Sequence, residues 1–195
     1  MDLRDRRYAV LLVSASEKTT SSLKALLPES LYSPVAEARD IQSARRALLE
    51  NTYDIVIINT PFKDDFGTSL ALNICDGSGS GVLLLVKAEH YAYVNARVAP
   101  YGVLVVSKPT NAQIFSQSLR LLCGTRERLR RMEQKAASIE EKMRDIRIIN
   151  RAKWLLIENL KMSEETAHRY IEKQAMDRCV TKRTIAESII STYNK

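Results

Sequence analysis

Cysteine, histidine, glycine and proline are all scarce in this chain of 195 residues, and the scarcity closes off whole classes of protein. Three cysteines, Cys75, Cys123 and Cys179, lie far apart and are odd in number, so neither a disulfide framework nor a zinc cluster fits them. His90 and His168 stand alone and complete no metal-ligand spacing. No apolar run reaches the roughly 18 residues that a membrane helix needs. The opening MDLRDRRYAVLLV sets charges ahead of an apolar stretch, as a signal peptide does. No small-residue cleavage site follows it, and it reads better as a first strand, so a cytoplasmic protein is expected. There is no Ser/His/Asp set. The GSGSG at 77–81 lacks the following Lys-Ser/Thr of a phosphate-binding loop, and is read as a flexible connection of the βα type. The chain is expected to be no enzyme, with no cofactor and no metal.

What is present is ordinary globular composition, 45% hydrophobic and 27% charged, on a length that suits one full domain plus a smaller module. The formal net charge of +7 is unevenly spread. Residues 1–123 carry 13 Lys/Arg against 12 Asp/Glu, whereas residues 124–195 carry 17 against 11. A local positive excess points to a polyanion partner for the C-terminal part.

The first half alternates between two hydrophobic periods. Tyr8–Val13, Asp54–Ile58, Val82–Val86 and Gly102–Val106 are short, almost wholly apolar runs, as strands buried on both faces of a parallel sheet are. A weaker strand is expected near Tyr32–Ala36. Helical stretches lie between them at Ser16–Leu27 and Asp40–Glu50, with a less amphipathic one at Ala88–Ala99. This alternation predicts a doubly wound α/β sheet of five strands in the order 2-1-3-4-5.

From Asn111 the pattern is helical throughout. Leu122, Leu129, Ala136, Met143 and Asn150 recur every seven residues, and so do Thr125, Met132, Ile139 and Ile146. Together they form the two apolar positions of a coiled coil. Under parallel pairing Arg128 faces Glu133 of a second helix and Lys135 faces Glu140, while Lys142 against Arg147 breaks the trend. A parallel homodimer is expected, with Gly124 marking where one helix hands over to the next. The alternative is a long amphipathic helix packed on its own domain. Beyond it three short helices are expected. The first runs to about Asn159, and a turn follows at Lys161-Met162. Ser163 and Thr181 serve as N-caps for helices whose apolar sides carry Ala167, Tyr170, Ile171 and Ala175, then Ile185, Ala186, Ile189 and Ile190.

YDIVIIN at 53–59, Pro61, Gly67 and SKP at 107–109 make residues 1–122 resemble the receiver domain of two-component response regulators, a flavodoxin-like (βα)5 fold. The resemblance implies a phosphoryl-accepting aspartate at the end of the third strand, a paired acid for Mg²⁺ after the first, and a lysine before proline at the end of the fifth, often with a cis bond. Lys108-Pro109 fits. The acceptor position is Asn59, the acidic pair is replaced by Ser14-Ala15, the switch hydroxyl by Lys87 and the switch aromatic by Val105. A hydroxyl, a methyl and a carboxamide do not supply the anionic oxygens that Mg²⁺ wants. A pseudo-receiver is therefore expected. Asp64 or Asp65 as substitute acceptor is the weaker reading, since both sit in the following loop.

INRAKWLLIENLKMSEETAHRYIEKQAMDRCVTKRTIAESII at 149–190 resembles the ANTAR family of RNA-binding antitermination domains. The resemblance rests on Ala152-Lys153, Met162-Ser163-Glu164, Ala167, Tyr170, Ala175-Met176, Ala186 and Ile189-Ile190. Trp154 departs from it, standing where the family commonly has a small residue. The expected organisation is a receiver at 1–122, a coiled-coil linker at 123–147 and an ANTAR head at 148–195. What the resemblance implies is a dimer gripping tandem hairpins in a nascent leader transcript, so that an overlapping terminator cannot form. Candidate RNA contacts are Arg151, Lys153, Arg169, Tyr170, Arg178, Lys182 and Arg183, with Lys173 less favoured; Lys153 matches the family motif. Cations suit phosphates and base edges, and Tyr170 and Trp154 suit stacking on loop bases. A partner protein or a small ligand at the receiver would replace phosphorylation as the input.

Two other classes compete. A DNA-binding regulator would need a polar, cationic recognition helix, and RTIAESIISTY is too apolar for one. A protein-interaction scaffold would bind neither nucleic acid.

Overall fold

The computed structural model describes residues 6–62 and 66–193. They form two compact units, divided between Arg131 and Met132.

In the first unit, strands β1 (Tyr8–Ser14), β2 (Tyr32–Ala38), β3 (Ile55–Asn59), β4 (Gly81–Lys87) and β5 (Leu104–Lys108) are all parallel and lie in the order 2-1-3-4-5. They alternate with α1 (Glu17–Lys24), α2 (Ile41–Glu50), α3 (Thr68–Gly77) and α4 (Ala88–Val98), and α5 (Ala112–Leu160) follows β5. Successive strand residues point to opposite faces. Leu11, Val13, Val56, Ile58, Leu84 and Val105 therefore enter the core built with α2, α3 and α4. Val10, Leu12, Ile55, Ile57, Leu83 and Leu85 enter a second core with Leu23 of α1 and Phe115, Leu119, Leu122 and Cys123 of α5. Burial on both faces is why the strands read as unbroken apolar runs.

Several local expectations shift. The helix α3 lacks a clear amphipathic signature because it packs Leu70, Ala71 and Ile74 on the sheet within a largely apolar segment. Its end makes the GSGSG stretch a connection from helix to strand, not from strand to helix. Ser80 Oγ fastens that connection by donating to Tyr53 O at 2.6 Å. Leu122, read as a coiled-coil position, is buried in the sheet's second core, and Gly81 leaves just enough room for it. Gly124 interrupts nothing: α5 runs through it unbroken. Asp64 and Asp65 lie outside the described residues.

The end of α5 within this unit is held by charge. Asp54, next to β3, accepts from Arg130 at 2.6 Å and from the Ala9 backbone N–H at 3.0 Å. Glu127 accepts from Arg130 at 2.9 Å and lies 3.4 Å from Arg6. These side chains are largely buried, so the helix stays attached to the sheet for two turns past Cys123.

The second unit packs the last part of α5 against α6 (Glu164–Asp177) and α7 (Lys182–Tyr193). Its core is Ala152 and Leu156, Ala167, Ile171 and Ala175, and Ile185, Ala186 and Ile189. Ser163 caps α6 by accepting from the Thr166 N–H at 3.2 Å, and Thr181 caps α7 through Thr184 N–H at 3.2 Å. Glu164 and Glu165 stand in the first turn of α6, where the helix dipole favours them. Lys161 and Cys179 take positive φ of 52° in the two turns.

Candidate nucleic-acid interface and receiver site

At the C-terminal edge of the sheet, the parallel register sets Ser14 beside Asn59, and Lys87 beside Lys108. Asn59 is buried. Its Nδ2 donates to Ser14 Oγ at 3.0 Å, and its Oδ1 accepts from Lys108 Nζ at 2.7 Å. Lys108 also donates to the Thr60 carbonyl. Thr60 Oγ1 in turn donates to Leu85 O at 2.9 Å. Burial, and after it the charge of Lys87, hold the Lys108 ammonium below its ordinary pKa. Lys87 itself turns outward to Glu89 at 3.4 Å. Ala15 contributes no donor atom. The Lys108–Pro109 peptide is cis.

The arrangement is a hydrogen-bonded chain from Lys108 through Asn59 to Ser14, built from a cation and neutral groups. Asn59 uses both ends of its amide, and the lysine is satisfied by a carboxamide and a carbonyl. Among the described residues no cluster of His, Cys, Asp or Glu could hold a metal ion.

In the second unit the seven sequence candidates spread over α5, α6, the turn after it and α7. Most of their charges already meet carboxylates. Lys153, with only 15% of its side chain exposed, donates to Glu164 at 3.0 Å. Arg169 meets Glu165 at 2.6 Å, and Lys182 meets Glu172. Arg183 bonds Asp145 at 3.1 Å and Glu187 at 2.8 Å. The hydrogen bond from Lys182 and its charge, with a smaller contribution from His168, hold the Glu172 carboxyl below its usual range. Glu187, followed by Asp145, raises Arg183. Lys153, Glu164, Glu165, His168, Arg169 and Glu172 line one open cleft between α5 and α6. Lys173 and Arg178 are exposed and form no ion pair among the described residues, and Arg151 is exposed on α5. Tyr170 is 40% exposed and Trp154 is 67% exposed, so neither ring is core.

The carboxylates were the missed part of this surface. Glu165–Arg169 and Arg183–Glu187 are four residues apart and readable as helical pairs. Glu164–Lys153, Glu172–Lys182 and Asp145–Arg183 cross between helices and carry no spacing signal.

A five-stranded parallel sheet in this order, continued by a long helix into a compact cationic three-helix head, gives a two-part molecule whose first unit has a receiver fold. Comparison with known proteins agrees. Residues 137–190 match the ANTAR domain family. The transcriptional regulatory protein PdtaR of Mycobacterium tuberculosis is 24% identical over 183 residues, covering 94% of this chain and 89% of PdtaR. The signal receiver domain of an HD domain-containing protein from Pseudomonas fluorescens is similar, with a TM-score of 0.58 and 25% identity over 65% of this chain and 93% of its own. A two-component response regulator from Clostridium difficile shares the fold, with a TM-score of 0.53 and 18% identity over 65% of this chain and 98% of its own.

Proposed function

We propose that this protein is a transcription antitermination regulator. It binds paired hairpins in nascent leader transcripts as a dimer, and its receiver unit cannot accept a phosphoryl group. The observation that carries the reading is the ANTAR match over 137–190, on a head whose α5, α6 and the turn after α6 present Arg151, Lys173, Tyr170 and Arg178 to solvent. Exposed cations give phosphate attraction, and a half-exposed tyrosine gives a stacking face for unpaired bases. Dimerisation through the heptads of α5 doubles the head, and two weak heads on one strand gain from effective concentration. The relative's designation as a transcriptional regulator accords with this. Such a protein works in the cytoplasm, where transcripts are made. The working division is a receiver at 1–122, a linker at 123–147 and a head at 148–195.

The pseudo-receiver reading is supported by chemistry at Asn59. A carboxamide forms no acyl phosphate, and Lys108 is already engaged by Asn59 and Thr60. The input is then a partner protein or a small ligand. Incubation with acetyl phosphate and Mg²⁺ should leave the mass of the chain unchanged; a hydroxylamine-sensitive aspartyl phosphate on Asp64 or Asp65 would overturn this half.

Filter binding of leader RNA with paired hairpins against duplex DNA, across salt, tests the other half. Preference for hairpin loops is expected. Preference for duplex DNA would favour the helix-turn-helix alternative, and salt-independent absence of binding to either would favour a scaffold. Exchanging Lys153 and Arg178 together for Ala should weaken hairpin binding; unchanged affinity counts against the head as the RNA surface.

A further inference from the structure

Two apolar faces emerge on the part of α5 that belongs to the second unit. One, with Ala152 and Leu156, is consumed by α6 and α7. The other is open. Met132, Ile139, Met143 and Ile146 are 49–62% exposed, and Trp154 is 67% exposed. The first four keep the alternating four-and-three spacing of a coiled-coil seam around Ala136. After Ile146 the spacing changes to two successive steps of four, through Asn150 to Trp154. A step of four turns an α-helix about 40° past a full revolution, so Asn150 and Trp154 stay on the side of Ile146 and Met143. Met143 to Trp154 is an eleven-residue repeat, the spacing at which neighbouring helices run nearly straight or slightly right-handed. The indole thus lies on the continuation of the seam, facing away from the head's own core. Arg147, Arg151 and Glu158 flank it, giving an apolar centre with a charged rim.

We propose that a second copy of this chain covers Trp154. The dimer seam then does not stop at the end of the heptads but continues into the head, where the two indoles pack against each other. This rests on the coiled-coil dimer of the preceding reading and extends it. The occupant follows from continuity. A parallel pair in the register favoured by Arg128 with Glu133 and Lys135 with Glu140 brings every seam residue to its own counterpart. Trp154 therefore meets Trp154 of the partner subunit. A tryptophan here buries apolar area far beyond what a small residue offers, and it fixes how the two heads stand with respect to each other. The competing occupant is an RNA base. The face favours protein, because Trp154 continues the exposed apolar series Met132, Ile139, Met143 and Ile146 through Asn150, and Arg147, Arg151 and Glu158 stand at its rim as charges of both signs.

Trp154 is the chain's single tryptophan, so its fluorescence reports on this position alone. On the full-length protein without RNA, raising the concentration through the dimerisation midpoint (set by sedimentation equilibrium) should shift the emission to the blue and protect it from acrylamide. Trp154→Ala should raise the dimer dissociation constant on the order of 30-fold, and Trp154→Phe should restore most of it. Ile139→Lys should give a monomer with a red, quenchable indole. A wild-type chain that stays monomeric with and without hairpin RNA defeats the coiled coil itself. A wild-type dimer whose indole stays red and quenchable, and which Trp154→Ala leaves intact, defeats only the extension. Protection that appears on adding hairpin RNA to monomeric Ile139→Lys, and not on dimerisation of wild type, assigns Trp154 to base stacking and overturns the proposal.

Discussion

Asn59 serves two neighbours at once, accepting from Lys108 and donating to Ser14 in a buried site. Removing its amide takes one of two acceptors from a partly buried ammonium and the donor from the Ser14 hydroxyl. Asn59→Ala should cost about 2 kcal/mol, read from the urea midpoint at constant slope. Asn59→Asp should fold, because its carboxylate faces Lys108. It should still bind Mg²⁺ with beryllofluoride poorly, because Ser14 and Ala15 supply no anionic ligand; tight binding would show that one substitution restores the site.

In the sheet's second core, burial pushes the Cys123 thiol up from 9.0 to about 11 and the Tyr8 phenol up from 10.0 to about 12, and Tyr32 moves upward for the same cause. Each group holds its proton longer folded than unfolded. Its stabilising contribution is therefore complete below the unfolded pKa and is lost as pH climbs through the folded one. Stability should fall from pH 9 upward, first through Cys123 and then through the phenols. Cys123→Ala should be less stable at neutral pH from the cavity, but it should lose roughly 1–2 kcal/mol less than wild type between pH 9 and 11. Parallel curves for the two proteins would refute the assignment.

At the scale of elements, α5 is the informative one. It contributes Phe115, Leu119, Leu122 and Cys123 to the sheet's core, is tied down through Glu127 and Arg130, and reaches the head core by Ala152 and Leu156. Asp54 is the anchor of that tie. Asp54→Ala would leave the Ala9 N–H without its acceptor and Arg130 with Glu127 alone, and should destabilise the first unit by about 2–3 kcal/mol. Hydrogen exchange at 124–131 should rise more than at Phe115–Leu122. Uniform loss of protection would show that the ion pairs are part of global stability and not a local fastening. Gly124 lies inside the same helix, and a Cβ there meets nothing within 4 Å. Gly124→Ala should therefore stabilise the protein by about 0.5–1 kcal/mol, checked by thermal melting. A loss would mean that flexibility at this point is built in.

At the scale of the molecule, charge is divided: the first part is nearly balanced, and the last 72 residues hold almost all of the excess. Yet Lys153, Arg169, Lys182 and Arg183 are each met by a carboxylate. On the proposed reading an RNA would compete with those carboxylates for the same cations, and each phosphate contact would release counterions, so binding should weaken as salt rises. Replacing Glu172 by Gln frees Lys182 at an exposed position. It should tighten hairpin binding by roughly threefold, the scale of a surface ion pair; weaker binding would mean that the pair positions α7 for the RNA.

Sequence by itself determined the architecture. A strand buried on both faces must be apolar without interruption, and a helix against that sheet must repeat at its own period. The five strands and their order, the caps Ser163 and Thr181, and the head's apolar faces were accordingly legible from local pattern, whereas the departures Asn59, Ser14 and Ala15 were legible only through the resemblance to receiver domains. Tertiary structure decided where α5 changes allegiance. Leu122 fits the heptad series as well as Met132 does, and only packing shows that the first is spent on the sheet while the second stays in solvent. It also decided which cations are engaged, because Lys153 with Glu164 and Arg130 with Asp54 meet across elements. Spacing along a chain records neighbours one turn away; it carries no record of charges brought together by folding.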